Sequence, residues 1–283
     1  MERETQEYLN IVTDFYEDTL SRIINYFARQ KKLTPFLLTK LYVFQLFRAL
    51  AYLHHNHIAH RDIKPSNLLI DKDTQKLVVC DFGSAKTLKD PNETSVAYIS
   101  TRYYRAPELL LGNQQYGVEI DIWAAGCVMA EMFRGGRVMF EGANNTDQLI
   151  KIIQLFGTPT PEQISEMNPL YPSKDMVKVK PGDINAYFSS SIPKEGIQLL
   201  QQLLIYEPSL RMRAIDVLAH PFFDELRDFQ MRLPQGGKLP DIFDLTTEEI
   251  QSTDRSVLDK IIPIWRRNQG ISRKISKHSL KKV

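Results

Sequence analysis

The stretch HRDIKPSNLLI, residues 60–70, and the DFGSAK that follows at residues 81–86 decide how this chain is read. NLLI (67–70) and KLVVC (76–80) read as two short strands, and the polar DKDTQ between them (71–75) reads as the turn that joins them. The polar groups Asp62, Lys64, Asn67 and Asp81 therefore fall in loops at strand ends, where a scaffold presents the residues that carry chemistry.

Working outward, the preceding segments TLSRIINYFARQ (19–30) and TPFLLTKLYVFQLFRALAYLHHN (34–56) carry apolar residues three and four apart, the spacing of buried or half-buried helices. The second opens with Thr34 as an expected cap and Pro35 in its first turn. Upstream of these, only YLNIVT (8–13) reads as a strand, and it runs into the acidic turn DFYED (14–18). Downstream, a long polar segment ends in APE (106–108). VEIDIWAAGCVMAEMF (118–133) is apolar nearly all round, which predicts a helix at the centre of a domain. Pro and Gly then punctuate the chain at GTPTP, NPLYP, VKPGD, LPQGGKLP and IIPIW, marking loops between shorter helices, and no internal repeat is present. The last stretch, residues 266–283, is basic, nearly free of large apolar residues, and reads as a solvated tail.

Composition bounds the partners. With 43% hydrophobic residues over 283 positions, a large core is expected, and 36 basic residues against 34 acidic ones leave a net charge of +2, too balanced for a nucleic-acid binder. Cys80 and Cys127 are the only cysteines and form no CxxC pair, which argues against a disulfide framework or a zinc cluster. The N-terminus is not a basic-then-apolar signal, and no apolar run is read as approaching the ~20 residues of a membrane span. A protein of the cytoplasm or nucleus, with no membrane partner, is expected.

HRDIKPSN, DFG and APE, in this order, resemble the catalytic segments of eukaryotic protein kinases. About ten fixed positions, each matched by chance roughly one time in twenty, make coincidence untenable. RYYRAPELLLG and GTPTPEQ resemble the branch that holds the cyclin-dependent, mitogen-activated and glycogen synthase kinases. HRDIKPSNLL, CDFGSAK, VAYISTRYYRAPELLLG, GTPTPEQISEMNP and HPFFDELRD resemble glycogen synthase kinase-3 itself, over about residues 8–262. The resemblance implies a mainly α fold, the large lobe of a kinase with short β-hairpins, and ATP-dependent phosphorylation of protein Ser or Thr.

By that resemblance, Asp62 would accept the proton of the substrate hydroxyl, Lys64 would place positive charge near the transferring group, and Asn67 and Asp81 would hold Mg2+. Asp14, Phe15 and Tyr16 would form the hinge against the nucleotide, with Thr13 at its gate and Leu69 and Cys80 on the floor of the adenine site. Arg61 and Lys86 resemble two members of a basic pocket for a phosphate already on the substrate. Tyr98 resembles an activation-segment phosphosite with Arg102 and Arg105 as partners for the added charge, the alternative being a buried packing tyrosine. His60 and Phe82 are expected to pack, Glu108 and Arg211 to form a buried ion pair, and Asp121 to brace the catalytic loop. The four histidines of HHNHIAH (54–60) are not read as a metal site, and Cys80 is an ordinary small filler as readily as a functional thiol. Residues 156–174 resemble a groove that takes scaffold helices, although Lys174 stands where the family tends to carry an aromatic residue.

One part of the family's equipment does not occur in these residues. The first glycine is Gly83 and the first lysine is Lys31, and 13 residues precede Asp14, whereas a small lobe with its Gly-rich loop, strand lysine and helix glutamate needs roughly 70. The expected organisation is a remnant strand and hinge (1–20), the kinase large lobe (21–224), a C-terminal extension (225–265) and the tail (266–283), with the small lobe missing. Three readings stay open: part of an active Ser/Thr kinase, an inactive large-lobe module that docks scaffold helices or substrates, or a lobe completed by a separate chain.

Overall fold

A computed structural model describes residues 12–90, 93–172 and 176–268. The elements are β1 (Asp18–Thr19), α1 (Leu20–Arg29), α2 (Phe36–His55), β2 (Ile58–Ala59), β3 (Leu68–Ile70), β4 (Leu77–Val79), β5 (Lys86–Thr87), α3 (Pro107–Leu110), α4 (Glu119–Phe133), α5 (Asn145–Phe156), α6 (Pro161–Met167), α7 (Lys194–Leu203), α8 (Ala214–Val217), α9 (Thr247–Ser252), α10 (Arg255–Ile261) and α11 (Ile264–Asn268).

Helix α4 is the axis of the fold. Every side chain from Ile120 to Phe133 is buried, as an all-round apolar helix requires, because it has no face that water can cover. Helices α2 and α7 and the 3-10 turn Arg102–Tyr104 pack against it. Gly126 permits the closest of these approaches: a Cβ there would stand 2.9 Å from Leu204 Cδ2 and 3.2 Å from Leu203 Cβ. Trp123, fully buried, stacks on Phe140 at 5.9 Å between centroids. Each such side chain removed from water contributes roughly 1.5–3 kcal/mol.

Helix α2 corrects two readings of the sequence. Its 20 residues are long and apolar enough to cross a membrane by length and composition, yet Leu41, Phe44, Phe47 and Leu50 lie in the core, where the same apolar length serves packing against α4 and α8. Its cap also differs from expectation. Pro35 occupies the capping position without a side-chain hydrogen bond, and the buried Thr34 hydroxyl has no partner among the described residues. The Thr34 carbonyl instead accepts from Thr39 Oγ1 at 3.4 Å.

Two small antiparallel sheets frame the polar loops. In one, β3 is central, pairing Leu69 with both Thr19 of β1 and Val78 of β4. In the other, β2 pairs with β5, setting Ala59 opposite Lys86. Among the described residues the first strand is Asp18–Thr19; of YLNIVT, residues 8–11 lie outside the described residues, and Val12 and Thr13 are irregular and exposed. A strand needs a partner's backbone, and Asp18–Thr19 finds it in Leu69 and Ile70.

The C-terminal segments are tied to the lobe. Arg48 of α2 donates to both oxygens of Glu249 at 2.7 and 2.9 Å, and Trp265 Nε1 donates to the Arg227 carbonyl at 2.8 Å. Helix α11 extends to Asn268, and Arg266 pairs with Asp241 at 2.5 Å. The first three residues assigned to a solvated tail are therefore helical; residues 269–283 lie outside the described residues. In the 156–174 segment, α5 ends at Gly157 and α6 begins on a Thr160–Gln163 capping box, while Lys174 lies outside the described residues.

Candidate functional site

The loop from His60 to Asn67 is held from below by one carboxylate. Asp121, 1% exposed, accepts from the His60 amide at 2.7 Å on Oδ2 and from the Arg61 amide at 2.9 Å on Oδ1, with His54 Nε2 at 3.2 Å from Oδ2. A buried carboxylate is costly unless donors surround it, and here two backbone N–H groups at the start of the loop are its donors. His60, fully buried, lies 2.9 Å by Nε2 from the Cys80 carbonyl, while its Nδ1 accepts from the Asp62 amide at 3.3 Å. One ring thus joins the loop to the strand end before Asp81. Three of the four histidines of residues 54–60 diverge onto different partners: His54 turns to Asp121, His60 to Cys80, and His55 to Ser252 at 3.4 Å.

Above this floor, Asp62 is surrounded. Its Oδ2 accepts from Lys64 Nζ at 2.7 Å and Asn67 Nδ2 at 3.1 Å; its Oδ1 accepts from the amide and the hydroxyl of Thr101, both at 3.0 Å. Burial pushes the Asp62 carboxyl up, but the bonds from Lys64 and Thr101 outweigh it and hold the group below the ordinary carboxylate range, because they stabilise the charged form. Lys64 Nζ also donates to Thr101 Oγ1 at 3.1 Å. Thr101 is a site residue that the sequence reading missed. Its only local signal is a hydroxyl immediately before Arg102 in STRYY.

Asp81 is exposed, with φ 64°. It sits one residue past the Cys80 amide, which donates to the Asn67 carbonyl at 2.9 Å, so Asn67 and Asp81 flank a single backbone bond. The Asn67 amide nitrogen is spent on Asp62, donating to its carbonyl at 2.9 Å as well, which leaves the amide oxygen as the available ligand atom. Arg61 and Ser100, with φ 68° and 65°, share the left-handed conformation of Asp81. Such non-glycine backbone costs of order 1 kcal/mol each and persists where surrounding contacts over-determine it. The Ser100 hydroxyl donates to the Arg61 carbonyl, which ties two of the three together. Among the described residues no group of three or more His, Cys, Asp or Glu side chains is gathered for a metal, so a cation here would rest on Asn67 and Asp81 and on ligands from outside the protein.

Phe82 meets the His60 ring edge-on at 5.1 Å yet is 49% exposed, so only one of its faces packs. Leu69 and Cys80 are half-buried, and burial, then the neighbouring Asp81, pushes the Cys80 thiol up. Cys80 is thus not the fully enclosed filler the sequence allows. Asp14 and Phe15 are exposed and Tyr16 is half-buried, all in irregular backbone.

Arg61 and Lys86 do not converge on one open acceptor. Arg61 donates to the Ser84 carbonyl and to Tyr116 Oη at 3.0 Å, whereas Lys86 is held by Glu93 at 2.8 Å and Ser95 Oγ at 2.7 Å. Tyr98 is 73% exposed, so it is not a buried packing residue, and its ring lies 4.7 Å from the Arg105 guanidinium. Arg105 donates to the carbonyls of Ile99 and Ser100, and Arg102 to those of Gly142 and Ala143. At the base, Arg211 grips Glu108 through two bonds of 2.6 and 2.7 Å, with side-chain exposures of 0% and 1%. It also donates to the carbonyls of Ile205, Tyr206 and Glu119.

Two carboxylates and an amide oxygen, presented by a loop that is anchored from beneath, can align a hydroxyl and hold a hard cation. The family model for the protein kinase domain matches residues 2–223.

Proposed function

The chain belongs to the protein kinase domain family, and on that premise we propose that it carries the large lobe of a glycogen synthase kinase-3-type enzyme, which transfers a phosphoryl group from ATP to protein Ser or Thr in the cytoplasm or nucleus. The observation that carries this reading is the Asp62 carboxylate, kept charged by Lys64 and Thr101.

A carboxylate held below its ordinary pKa is a weak base, so Asp62 acts first by orientation. The substrate hydroxyl donates to it, which aims the oxygen for in-line attack, and the proton passes to Asp62 as the oxygen loses its hold on it. Lys64, bonded to both Asp62 and Thr101, keeps a positive charge beside the acceptor oxygen. Thr101 fixes the carboxylate plane through Oδ1 and leaves no freedom for it to rotate away. Asn67 and Asp81 offer one amide and one carboxylate oxygen, which fits Mg2+, a cation bound by one or two carboxylates together with phosphate oxygens. When bound, Mg2+ neutralises phosphate charge. The half-buried apolar surface of Leu69 would take the adenine.

These 283 residues include no Gly-rich loop ahead of the hinge segment, and transfer by them alone is expected to be slow, because positioning and charge neutralisation provide most of phosphoryl-transfer catalysis. The reading is tested by titrating ATP with and without Mg2+ and following transfer to Ser, Thr and Tyr peptides, with and without a phosphate already in place. Mg2+-dependent nucleotide binding that is weakened in Asp81→Asn, with transfer abolished in Asp62→Asn at unchanged binding, is expected. No binding of Mg2+–ATP at millimolar concentration overturns the catalytic reading in favour of a docking module whose 156–174 segment receives partner helices.

A further inference from the structure

Helix α1 carries a charge pattern that the chemistry of the Asp62 loop does not use. Its buried residues, Leu20 and Ile24, face the core. Arg22, Asn25, Tyr26 and Arg29, three and four apart, are exposed and line a surface hollow of about 570 Å3 with Asp18 and Gln30. Lys31 and Lys32 continue the strip beyond the helix and are also exposed. Among the described residues no carboxylate pairs with Arg29, Lys31 or Lys32. Arg22 reaches Asp18 only at 4.0 Å with 74% of its side chain exposed, while the other Asp18 oxygen is taken by Lys72 at 3.0 Å. The acidic residues close by in the chain, Glu17 and Asp18, sit at the opposite end of the helix from the three unpaired cations.

The strip lies beside the loop that carries the chemistry. Helix α1 packs on the turn Pro65–Asn67, three residues beyond Asp62. On the core face of the helix Gly136 comes so close that a Cβ there would stand 3.1 Å from Ile24 Cγ2, which leaves the opposite, cationic face to water.

We propose that this strip binds an Asp- and Glu-rich segment of a protein substrate, flanking the hydroxyl presented to Asp62. Charge complementarity carries it: Arg29, Lys31 and Lys32 have no carboxylate partner among the described residues, and Arg22 shares Asp18 with Lys72. A single exposed ion pair contributes little, but several in a row add, steer the approach, and weaken with salt. The word substrate rests on the function proposed above; the strip itself does not.

The test reads binding rather than turnover. A fluorescently labelled Glu/Asp-rich peptide is titrated with the full chain at low and high salt, beside the same peptide with Gln and Asn for Glu and Asp. The triple variant Arg29→Gln, Lys31→Gln, Lys32→Gln is compared with Lys178→Gln, Lys180→Gln, Arg255→Gln, which removes the same net charge at exposed positions outside α1. The expected result is salt-sensitive binding of the acidic peptide, weakened about tenfold by the α1 variant and not by the control, with no binding of the amide peptide. Equal weakening by both variants, or binding of the amide peptide, overturns the proposal. A single-stranded oligonucleotide that binds more tightly than the peptide also overturns it, as a general polyanion site. Peptide binding in a chain that binds no Mg2+–ATP leaves the strip standing and sinks the catalytic reading instead.

Discussion

At the base of the molecule, Glu108 and Arg211 have almost no exposed surface and every atom of the guanidinium that can donate finds an acceptor. On the face that carries the candidate site, Asp81 is exposed and Phe82 is half-exposed, although the His60 residue links the Cys80 carbonyl to the Asp121 floor. Both regions hold carboxylates, but they spend them differently. At the base the charge is consumed by the protein and returns rigidity; at the face, the Asp81 side chain stands in water. Asp62 stands between, with its carboxylate already holding Lys64, Asn67 and Thr101 in place. A site of this kind needs both behaviours, since free oxygen donors are useful only if the backbone beneath them does not move.

The largest effect expected from this contrast is at the base. Arg211→Ala leaves Glu108 buried and unpaired, which costs about 3–5 kcal/mol, and urea unfolding should show the midpoint collapse. A loss below about 1 kcal/mol would break the comparison, because the base would then be no more committed than the face. Next, Asp121→Ala orphans the buried amide of His60, at about 1–3 kcal/mol, and the half-buried amide of Arg61, at less. Hydrogen exchange at those two amides should quicken well before the rest of α4 loses protection; uniform loss would mean that Asp121 holds the whole lobe and not the loop.

A smaller effect is expected for Asp62, and it depends on pH. Its folded-state pKa is depressed, so its contribution is fully present above the unfolded carboxylate value of about 3.9 and is lost as pH falls through the folded value. Asp62→Asn should therefore flatten the acid limb of a stability–pH curve while leaving the slope above pH 5 unchanged. The smallest effect belongs to Asp81. Asp81→Asn should change stability by less than about 0.5 kcal/mol while abolishing the Mg2+ dependence of nucleotide binding. A large stability loss would show that Asp81 is structural after all.

The elements legible in the sequence are those whose signal is local. The all-round apolar run of α4, the hairpin of β3 and β4 around DKDTQ, and the punctuation at Gly157 and Pro263 each follow from neighbouring residues. The polar residues of HRDIKPSN and DFG were identifiable for the same reason, since their spacing is fixed within 22 positions. Thr101 was not, because it meets Asp62 across 39 residues of chain, and nothing in periodicity marks which hydroxyl closes such a distance. The half-exposure of Phe82 and Cys80 and the capping of α2 without a Thr34 side chain bond were equally out of reach.

The sequence alone therefore determined which residues are the candidates for chemistry and which helix must lie at the centre, since residue type, spacing and hydrophobic period are properties of short segments. Tertiary structure alone decided that Asp121 reaches back 61 and 60 positions to the amides of His60 and Arg61, that the apolar length of α2 is consumed by the core, and that the cations of α1 face water. Those facts depend on which surfaces meet, and that is settled by the packing of the whole chain around α4.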